Sequence, residues 1–155
     1  DAYALYDREY VRINGQFSNV YPNVREGLAA IKAMGLRMAC VTNKPWNFTE
    51  PLLARTGLAQ YFDLVFGGDA FALRKPDPYP LLKVAEAFRV DPEAVLAIGD
   101  SENDARAARA AGMGVLLMPY GYNHGNPVQD VDADCIVPDI ARVAALLAAH
   151  RATHR

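Results

Sequence analysis

Hydrophobic positions along the chain follow two spacings, and their alternation predicts an α/β fold. Short apolar runs bounded by turn residues predict five buried strands, at 36–41, 63–66, 94–98, 114–118 and 135–137. Between these runs, apolar residues recur every three or four positions and predict helices around 24–34, 48–55, 81–88, 102–111 and after Asp139. Strands that are apolar on both faces and alternate with helices favour a doubly wound parallel sheet, of Rossmann-like type, covered by helices on both sides.

The first predicted helix stands outside this alternation. Its apolar positions, spaced by three and four over 1–14, come before the first predicted strand. They are Tyr3, Tyr6, Tyr10 and Ile13. We therefore expect residues 1–20 to form a separate element with its linker, and residues 21–155 to form the α/β core.

Composition excludes several function classes. A chain of 155 residues with a net charge of -2 fits one globular core, and its scattered Lys and Arg residues favour neither nucleic acid nor an anionic membrane as a partner. No apolar stretch approaches the roughly 20 residues that span a bilayer. Cys40 and Cys135 lie in short apolar runs and are predicted to be buried free thiols. These features predict a cytoplasmic protein.

Candidate chemistry is concentrated where the predicted strands end. In an open parallel sheet the reactive crevice lies beyond the carboxyl ends of the strands. Thr42 and Asn43 follow the first strand and offer a hydroxyl and an amide to a phosphate oxygen, although a Thr in this position commonly caps the next helix. Lys75 is held beside a Pro-x-Pro stretch, which suits a fixed positive charge for phosphate, although a single loop lysine is more often solvated.

The segment after the third strand carries the strongest local signal. Asp100 ends an apolar strand, where a carboxylate is costly unless it meets a cation or several donors. Asp104 follows four residues later at the start of a helix, so both carboxylates can face one crevice, and Gly99 permits a sharp exit from the strand. Mg²⁺ takes one or two protein carboxylates and keeps several waters, which fits this pair. The competing interpretation is a capped helix with an acidic first turn.

Other polar or aromatic residues have simpler interpretations. Asp132 and Asp134 form an acidic pair that we assign to the solvated surface. His124 lies in a loop, where a surface or packing role is more common than catalysis. Trp46 and Phe48 open a helix after Thr42, and core packing is their expected role.

Four segments, in their order along the chain, resemble the haloacid dehalogenase superfamily and, within it, the bacterial phosphoglycolate phosphatases. The segments are VTNKP at 41–45, RKPDPYPLL at 74–82, IGDSENDARAARAAG at 98–112 and PYGYNHG at 119–125. The resemblance implies a Mg²⁺-dependent phosphomonoester hydrolase that forms an aspartyl-phosphate, with 2-phosphoglycolate the expected substrate.

The same resemblance implies a role for each candidate residue. Thr42 and Asn43 would hold the transferring phosphoryl group, and Lys75 would neutralise the phosphate and the nucleophilic carboxylate. Asp100 would bind Mg²⁺, and Asp104 would orient a metal-bound water or Lys75. The resemblance also implies that residues 1–20 are the last part of a helical cap.

The chain departs from the family pattern at its start. The family's Asp-x-Asp motif, which supplies the nucleophile and the general acid/base, has no counterpart before Tyr21. In the family the strand bearing that motif lies at the centre of the sheet, between the strands that end at Thr42 and Asp100. We therefore expect this chain alone to be inactive, and the missing strand either to come from another piece of the same polypeptide or to be compensated by rearranged neighbours.

Alternative functions remain open from the sequence. Within the superfamily they are a sugar-phosphate phosphatase, a phosphoglucomutase and a pyrophosphatase. A receiver-like signalling module also combines Asp, Thr and Lys-Pro, but its order along the chain differs from the order Thr42, Lys75, Asp100. A module that binds phosphate and metal without turnover is the third alternative.

Overall fold

The structure, a computed structural model, describes residues 2–14, 19–121, 125 and 127–153, and its elements confirm the predicted α/β alternation. The helices are α1 (Ala2–Ile13), α2 (Val24–Ala33), α3 (Trp46–Thr56), α4 (Tyr79–Phe88), α5 (Glu102–Ala110) and α6 (Ile140–Thr153). The strands are β1 (Ala39–Val41), β2 (Leu64–Phe66), β3 (Leu96–Gly99), β4 (Gly114–Leu117) and β5 (Cys135–Ile136). Each strand lies where an apolar run predicts one, and each is shorter than that run by one to three residues.

All strand pairs in the described part of the chain are parallel. β1 pairs with β2, with Val41 opposite Phe66, and β3–β4–β5 form a separate ladder in which Gly99 lies opposite Leu117. Among the described residues β1 and β3 share no ladder. The two strands that carry the candidate site residues at their carboxyl ends are therefore the facing edges of two small sheets.

Hydrophobic side chains on the two faces of β4 enter two different cores, which confirms helices on both sides. Val115 and Leu117 point to one side and are fully buried with Ala105 and Ala108 of α5. Leu116 points to the other side, among buried side chains of α2 and α6: Leu28, Ile31, Val143 and Ala144.

Local signals in the sequence explain where the helices begin and end. Gly35 and Gly57 follow α2 and α3 with φ of 74° and 69°, a left-handed conformation that stops a helix and that glycine adopts without strain. Asp139 accepts a 2.8 Å hydrogen bond from the Arg142 amide and so caps the start of α6, as predicted. At Gly27 a side chain would lie 2.5 Å from the Ile140 backbone, so α2 and α6 approach closely only because this residue has none.

Two packing predictions are wrong. Cys135 is exposed rather than buried, because β5 is an edge strand of only two residues, whereas Cys40 is half-buried. Trp46 is 43% exposed at the start of α3, whereas Phe48, two residues further on, is buried as predicted. No helix among the described residues is long and apolar enough to cross a membrane.

Candidate active site

The hydroxyl of Thr42 lies at the carboxyl end of β1. The Thr42 amide extends the β1–β2 ladder with a 3.0 Å hydrogen bond to the Phe66 carbonyl, and Oγ1 accepts a 3.1 Å hydrogen bond from the Lys44 amide. Thr42 does not cap α3, because the Trp46 amide donates instead to Oδ1 of Asp69 at 2.8 Å. Among the described residues the Thr42 hydroxyl donates to no acceptor, so its proton is available to a ligand oxygen.

Asn43 is held from two sides. Its Nδ2 donates a 2.7 Å hydrogen bond to the Lys75 carbonyl, which ties the loop after β1 to the segment that carries the lysine. Gly68, in the loop after β2, packs so closely that any side chain there would overlap the Asn43 carbonyl. The backbone amides of this loop are thereby fixed relative to Lys75.

Lys75 connects the two sheets across their facing edges. Its Nζ donates a 2.7 Å hydrogen bond to the Val41 carbonyl of β1 and forms a 2.6 Å ion pair with Oδ1 of Asp104, at the start of α5. Only 14% of each side chain in this pair is exposed, so water screens the interaction weakly. The lysine is therefore a rigidly mounted charge rather than a solvated loop residue.

Asp104 both caps its helix and binds Lys75. It is the third residue of α5 and forms a capping box with Ser101, its Oδ2 accepting hydrogen bonds from the amides of Asp100 and Ser101 at 3.1 and 3.2 Å. Its other oxygen binds Lys75. Burial alone would raise the pKa of Asp104, but the charge and hydrogen bond of Lys75, together with these donors, hold the pKa below its usual value.

Asp104 should stabilise the fold above the unfolded-state pKa of an aspartate, about 3.9, and this contribution should be lost as the pH falls through that value towards the lower folded-state pKa. Asp104→Asn removes the titrating group and leaves Lys75 without its counter-ion, which should cost about 1–3 kcal/mol at pH 7. Urea unfolding between pH 3 and 7 measures both effects. Asp132→Asn, at an exposed carboxylate, is the control, and equal acid slopes for wild type and Asp104→Asn would contradict the assignment.

Asp100 is the carboxylate that faces the crevice without a directly bonded cation. Burial raises its pKa first of all, the neighbouring Asp104 charge raises it further, and Lys75 offsets only part of this effect. Gly121, after β4, packs against it so closely that a side chain there would overlap the Asp100 carboxyl group. Asp100 is therefore held in a position where its charge is unfavourable unless a further cation approaches.

The donor set around Asp100 fits a magnesium ion better than a transition metal. Among the described residues no group of three or more His, Cys, Asp or Glu side chains could enclose a metal. Mg²⁺ needs no such cage, because it usually binds through one or two carboxylates and keeps several waters. A desolvated carboxylate on an open crevice satisfies that requirement, and a divalent ion would reverse the effect of burial on its pKa.

The predicted site residues line one crevice of about 380 Å³ between the two sheets. Its lining includes all five of them, Thr42, Asn43, Lys75, Asp100 and Asp104, together with Ser101, Asn103 and Met118. A larger groove of about 580 Å³ beside α5 contains none of the five. His124 lies outside the described residues.

Sequence reasoning gave Gly99 a different role, and it missed the roles of Gly68 and Gly121 and the connections made by Ser101. Gly99 does not turn the chain with a positive φ; it leaves room for Asp104, whose carboxyl group a side chain at this position would overlap. Gly68 and Gly121 do the same for Asn43 and Asp100. The available signal was a glycine in the segment that follows a predicted strand. Asp132 and Asp134 are exposed as predicted, although both pair with Arg109.

The chain is similar to known proteins that share one family. Residues 1–112 match the family model of the haloacid dehalogenase-like hydrolases. A phosphoglycolate phosphatase of Thiobacillus denitrificans is 51% identical over 146 residues, which cover 94% of this chain and 64% of that protein. The chain thus spans a little under two thirds of the length of this relative.

Solved structures agree with this match. A Haemophilus somnus protein described as a predicted phosphoglycolate phosphatase superposes with a TM-score of 0.86 at 35% identity, covering 94% of this chain and 63% of its own. CbbY from Rhodobacter sphaeroides, solved in complex with phosphate, gives a TM-score of 0.77 at 25% identity and covers 91% of this chain and 64% of its own.

Proposed function

The chain belongs to the haloacid dehalogenase-like hydrolase family, and on that premise we propose that it forms the phosphate- and metal-binding part of a magnesium-dependent phosphomonoester hydrolase. The observation that carries the proposal is the convergence of Thr42, Lys75 and Asp100 on one crevice between the facing strands β1 and β3. The order of these residues along the chain also supports a phosphatase over a receiver-like module, and the family assignment agrees.

Each group in the crevice matches a demand of phosphoryl transfer, which depends on positioning and on neutralising the equatorial oxygens. In the proposed mechanism the Thr42 hydroxyl and the amides near Asn43 donate hydrogen bonds to the phosphoryl oxygens. Lys75, fixed by Val41 and Asp104, supplies a positive charge whose position does not change during the reaction. Asp104 acts by orienting Lys75 rather than by touching the substrate.

Magnesium is the cofactor that the proposal requires, with Asp100 as its protein ligand and waters completing the coordination. The bound ion would supply further positive charge for the phosphate oxygens. Asp100 is suited to this role because burial and the Asp104 charge make its own ionisation unfavourable in the absence of a cation.

The carboxylate nucleophile has no candidate among the described residues of the crevice, because Asp104 is committed to Lys75 and the proposal assigns Asp100 to the metal. We propose that a further parallel strand between β1 and β3 carries it, and that an aspartyl-phosphate forms there and is hydrolysed by water. The separate ladders on either side of this gap support the idea, since among the described residues neither β1 nor β3 pairs with a strand on its facing edge. The longer relatives have room for such a strand in the same polypeptide.

The proposed substrate is 2-phosphoglycolate, although the phosphate-binding groups of the crevice do not by themselves select it over other phosphomonoesters. The support for it is the 51% identity to a phosphoglycolate phosphatase over almost the whole of this chain. We further propose that residues 1–20 belong to a helical cap and that residues 21–155 are part of the catalytic core.

Assays of phosphate release should test the proposed substrate, the metal requirement and the location of the nucleophile separately. We expect a polypeptide of the relatives' full length to hydrolyse 2-phosphoglycolate in the presence of Mg²⁺, and to do so faster than it hydrolyses sugar phosphates or pyrophosphate. Hydrolysis should stop when EDTA removes the metal. The 155-residue chain alone should show no turnover under the same conditions. Turnover by the 155-residue chain would place the nucleophile within it, and a full-length protein that hydrolyses no phosphomonoester would refute the phosphatase.

A further inference from the structure

Helix α1 contacts the core through a polar cluster that the proposed chemistry does not use. Asn14, at its C-terminal end, is only 6% exposed and donates a 2.6 Å hydrogen bond from Nδ2 to the Phe48 carbonyl of α3, while its own carbonyl accepts from Arg55. One turn earlier the Tyr10 ring packs edge-on against Phe48, with ring centres 4.6 Å apart.

Lys44 is the residue through which this cluster reaches the crevice. Its Nζ donates to Tyr10 Oη at 2.9 Å and lies 3.4 Å from Asn14 Oδ1, and it also stands 5.1 Å from the centre of the Tyr10 ring. Among the described residues no carboxylate lies within ion-pair distance of it. Its charge is therefore held by the neutral polar groups and the ring of α1.

The backbone of Lys44 is bound to the loops of the crevice at the same time. Its amide donates to Thr42 Oγ1 at 3.1 Å. Its carbonyl accepts from the Gly68 amide at 2.8 Å and from the Thr49 hydroxyl at 2.9 Å. The side chain does not line the crevice, so Lys44 touches the phosphate-binding loop only through its backbone.

We propose that Lys44 is a positioning residue that couples the seating of α1 on α3 to the orientation of the Thr42 hydroxyl. A displacement of α1 moves the ammonium that it holds, and only one residue separates Lys44 from Thr42. A shift of this side chain also strains the Lys44 backbone, whose amide orients Oγ1. The inference rests on the proposed function in taking Thr42 as a phosphate-binding group, and it adds a link between that group and a helix outside the α/β core.

A double-mutant cycle in the full-length protein tests the coupling. Lys44→Met removes the ammonium and keeps the apolar stem, while Tyr10→Phe removes only the hydroxyl and keeps the packing on Phe48. We expect Lys44→Met to lower kcat/KM by about 10- to 100-fold, as misplacement of a reacting group does. Tyr10→Phe should lower it by about 2- to 10-fold, the value of one hydrogen bond. The double variant should be no worse than Lys44→Met, and Lys44→Arg should recover part of the loss.

Two further measurements do not depend on turnover. Hydrogen exchange of the α1 amides should quicken in Lys44→Met and in Tyr10→Phe, but not in Thr42→Val, which removes the hydroxyl directly. The Kd of inorganic phosphate should rise by about 2- to 10-fold in both Lys44→Met and Tyr10→Phe. Lys83→Met is the matched control, because Lys83 also lies over a tyrosine ring, that of Tyr79, but on the exposed side of α4.

Additive effects of the two substitutions, or unchanged α1 exchange in Lys44→Met, would overturn the proposal. The proposal would also be overturned if Lys44→Met lowered kcat/KM strongly while Tyr10→Phe left it unchanged, because the lysine would then act directly on the substrate. A wild-type protein without phosphatase activity would refute the proposed function alone. The exchange rates and the phosphate Kd would still decide whether Lys44 links α1 to Thr42.

Discussion

Asp100→Asn should reduce Mg²⁺-dependent phosphate release by the full-length protein at least about 100-fold, the scale of losing one electrostatic group at a transition state. The same substitution should raise the Tm of the metal-free protein. The pKa of Asp100 is raised by burial and by Asp104, so its ionised form destabilises the fold at neutral pH and a neutral amide does not. Activity and stability are thus expected to change in opposite directions.

Phosphate-release assays with and without Mg²⁺, together with calorimetry in EDTA, measure these two effects. Added Mg²⁺ should raise the Tm of wild type and leave that of Asp100→Asn unchanged, since only the former retains the ligand. Asp132→Asn is the matched control, because that carboxylate is exposed and distant from the crevice. Unchanged turnover in Asp100→Asn, or an equal Mg²⁺ effect in both proteins, would refute the metal assignment.

Lys75→Met should be as damaging to activity as Asp100→Asn, with a loss of at least about 100-fold, but it should also destabilise the protein. Removing the ammonium leaves Asp104 charged with most of its surface buried, and it leaves the Val41 carbonyl without its donor. The expected cost is about 1–3 kcal/mol in the free energy of unfolding. Equilibrium urea unfolding and phosphate release measure the two losses.

Two variants separate the charge of Lys75 from its structural role. Lys83→Met removes an ammonium that also pairs with a carboxylate, but on the outer face of α4. It should change neither the rate of phosphate release nor the free energy of unfolding appreciably. The double variant Lys75→Met/Asp104→Asn removes both members of the buried pair, so stability should partly recover while activity stays low. Recovery of activity in the double variant would mean that Lys75 serves only to neutralise Asp104.

The fold was predictable because its signals are local and repeated. The short apolar runs at Cys40, Val65 and Val115 are too short for helices and predict strands, although only the strand at Val115 is mostly buried. Glycines such as Gly35 and Gly57 mark where helices stop. The five residues of the crevice were predictable from a single rule, that functional side chains follow the carboxyl ends of parallel strands. The register in which the strands pair could not be predicted from the sequence and is known only from the structure.

What remained unpredictable depends on contacts between residues far apart in the chain. Asp69 caps α3 from a different loop, which leaves the Thr42 hydroxyl available, and no spacing in the sequence indicates this contact. Whether Asp104 would face a metal, cap its helix or bind Lys75 could not be decided either, since its two oxygens divide between the last two roles. The exposure of Trp46 likewise follows from how α3 docks.

The glycines beside the crevice have a consequence for how this sequence can vary. Gly68, Gly99 and Gly121 adopt ordinary backbone angles, so nothing in their local conformation forbids alanine; each is restricted only by the neighbour that a methyl group would displace. That neighbour is Asn43, Asp104 or Asp100 in turn. Even the smallest missense change at these codons, to alanine, would remove no polar group and would still displace one of them. Inherited variation should therefore be as restricted at these three chemically inert positions as at the residues they support.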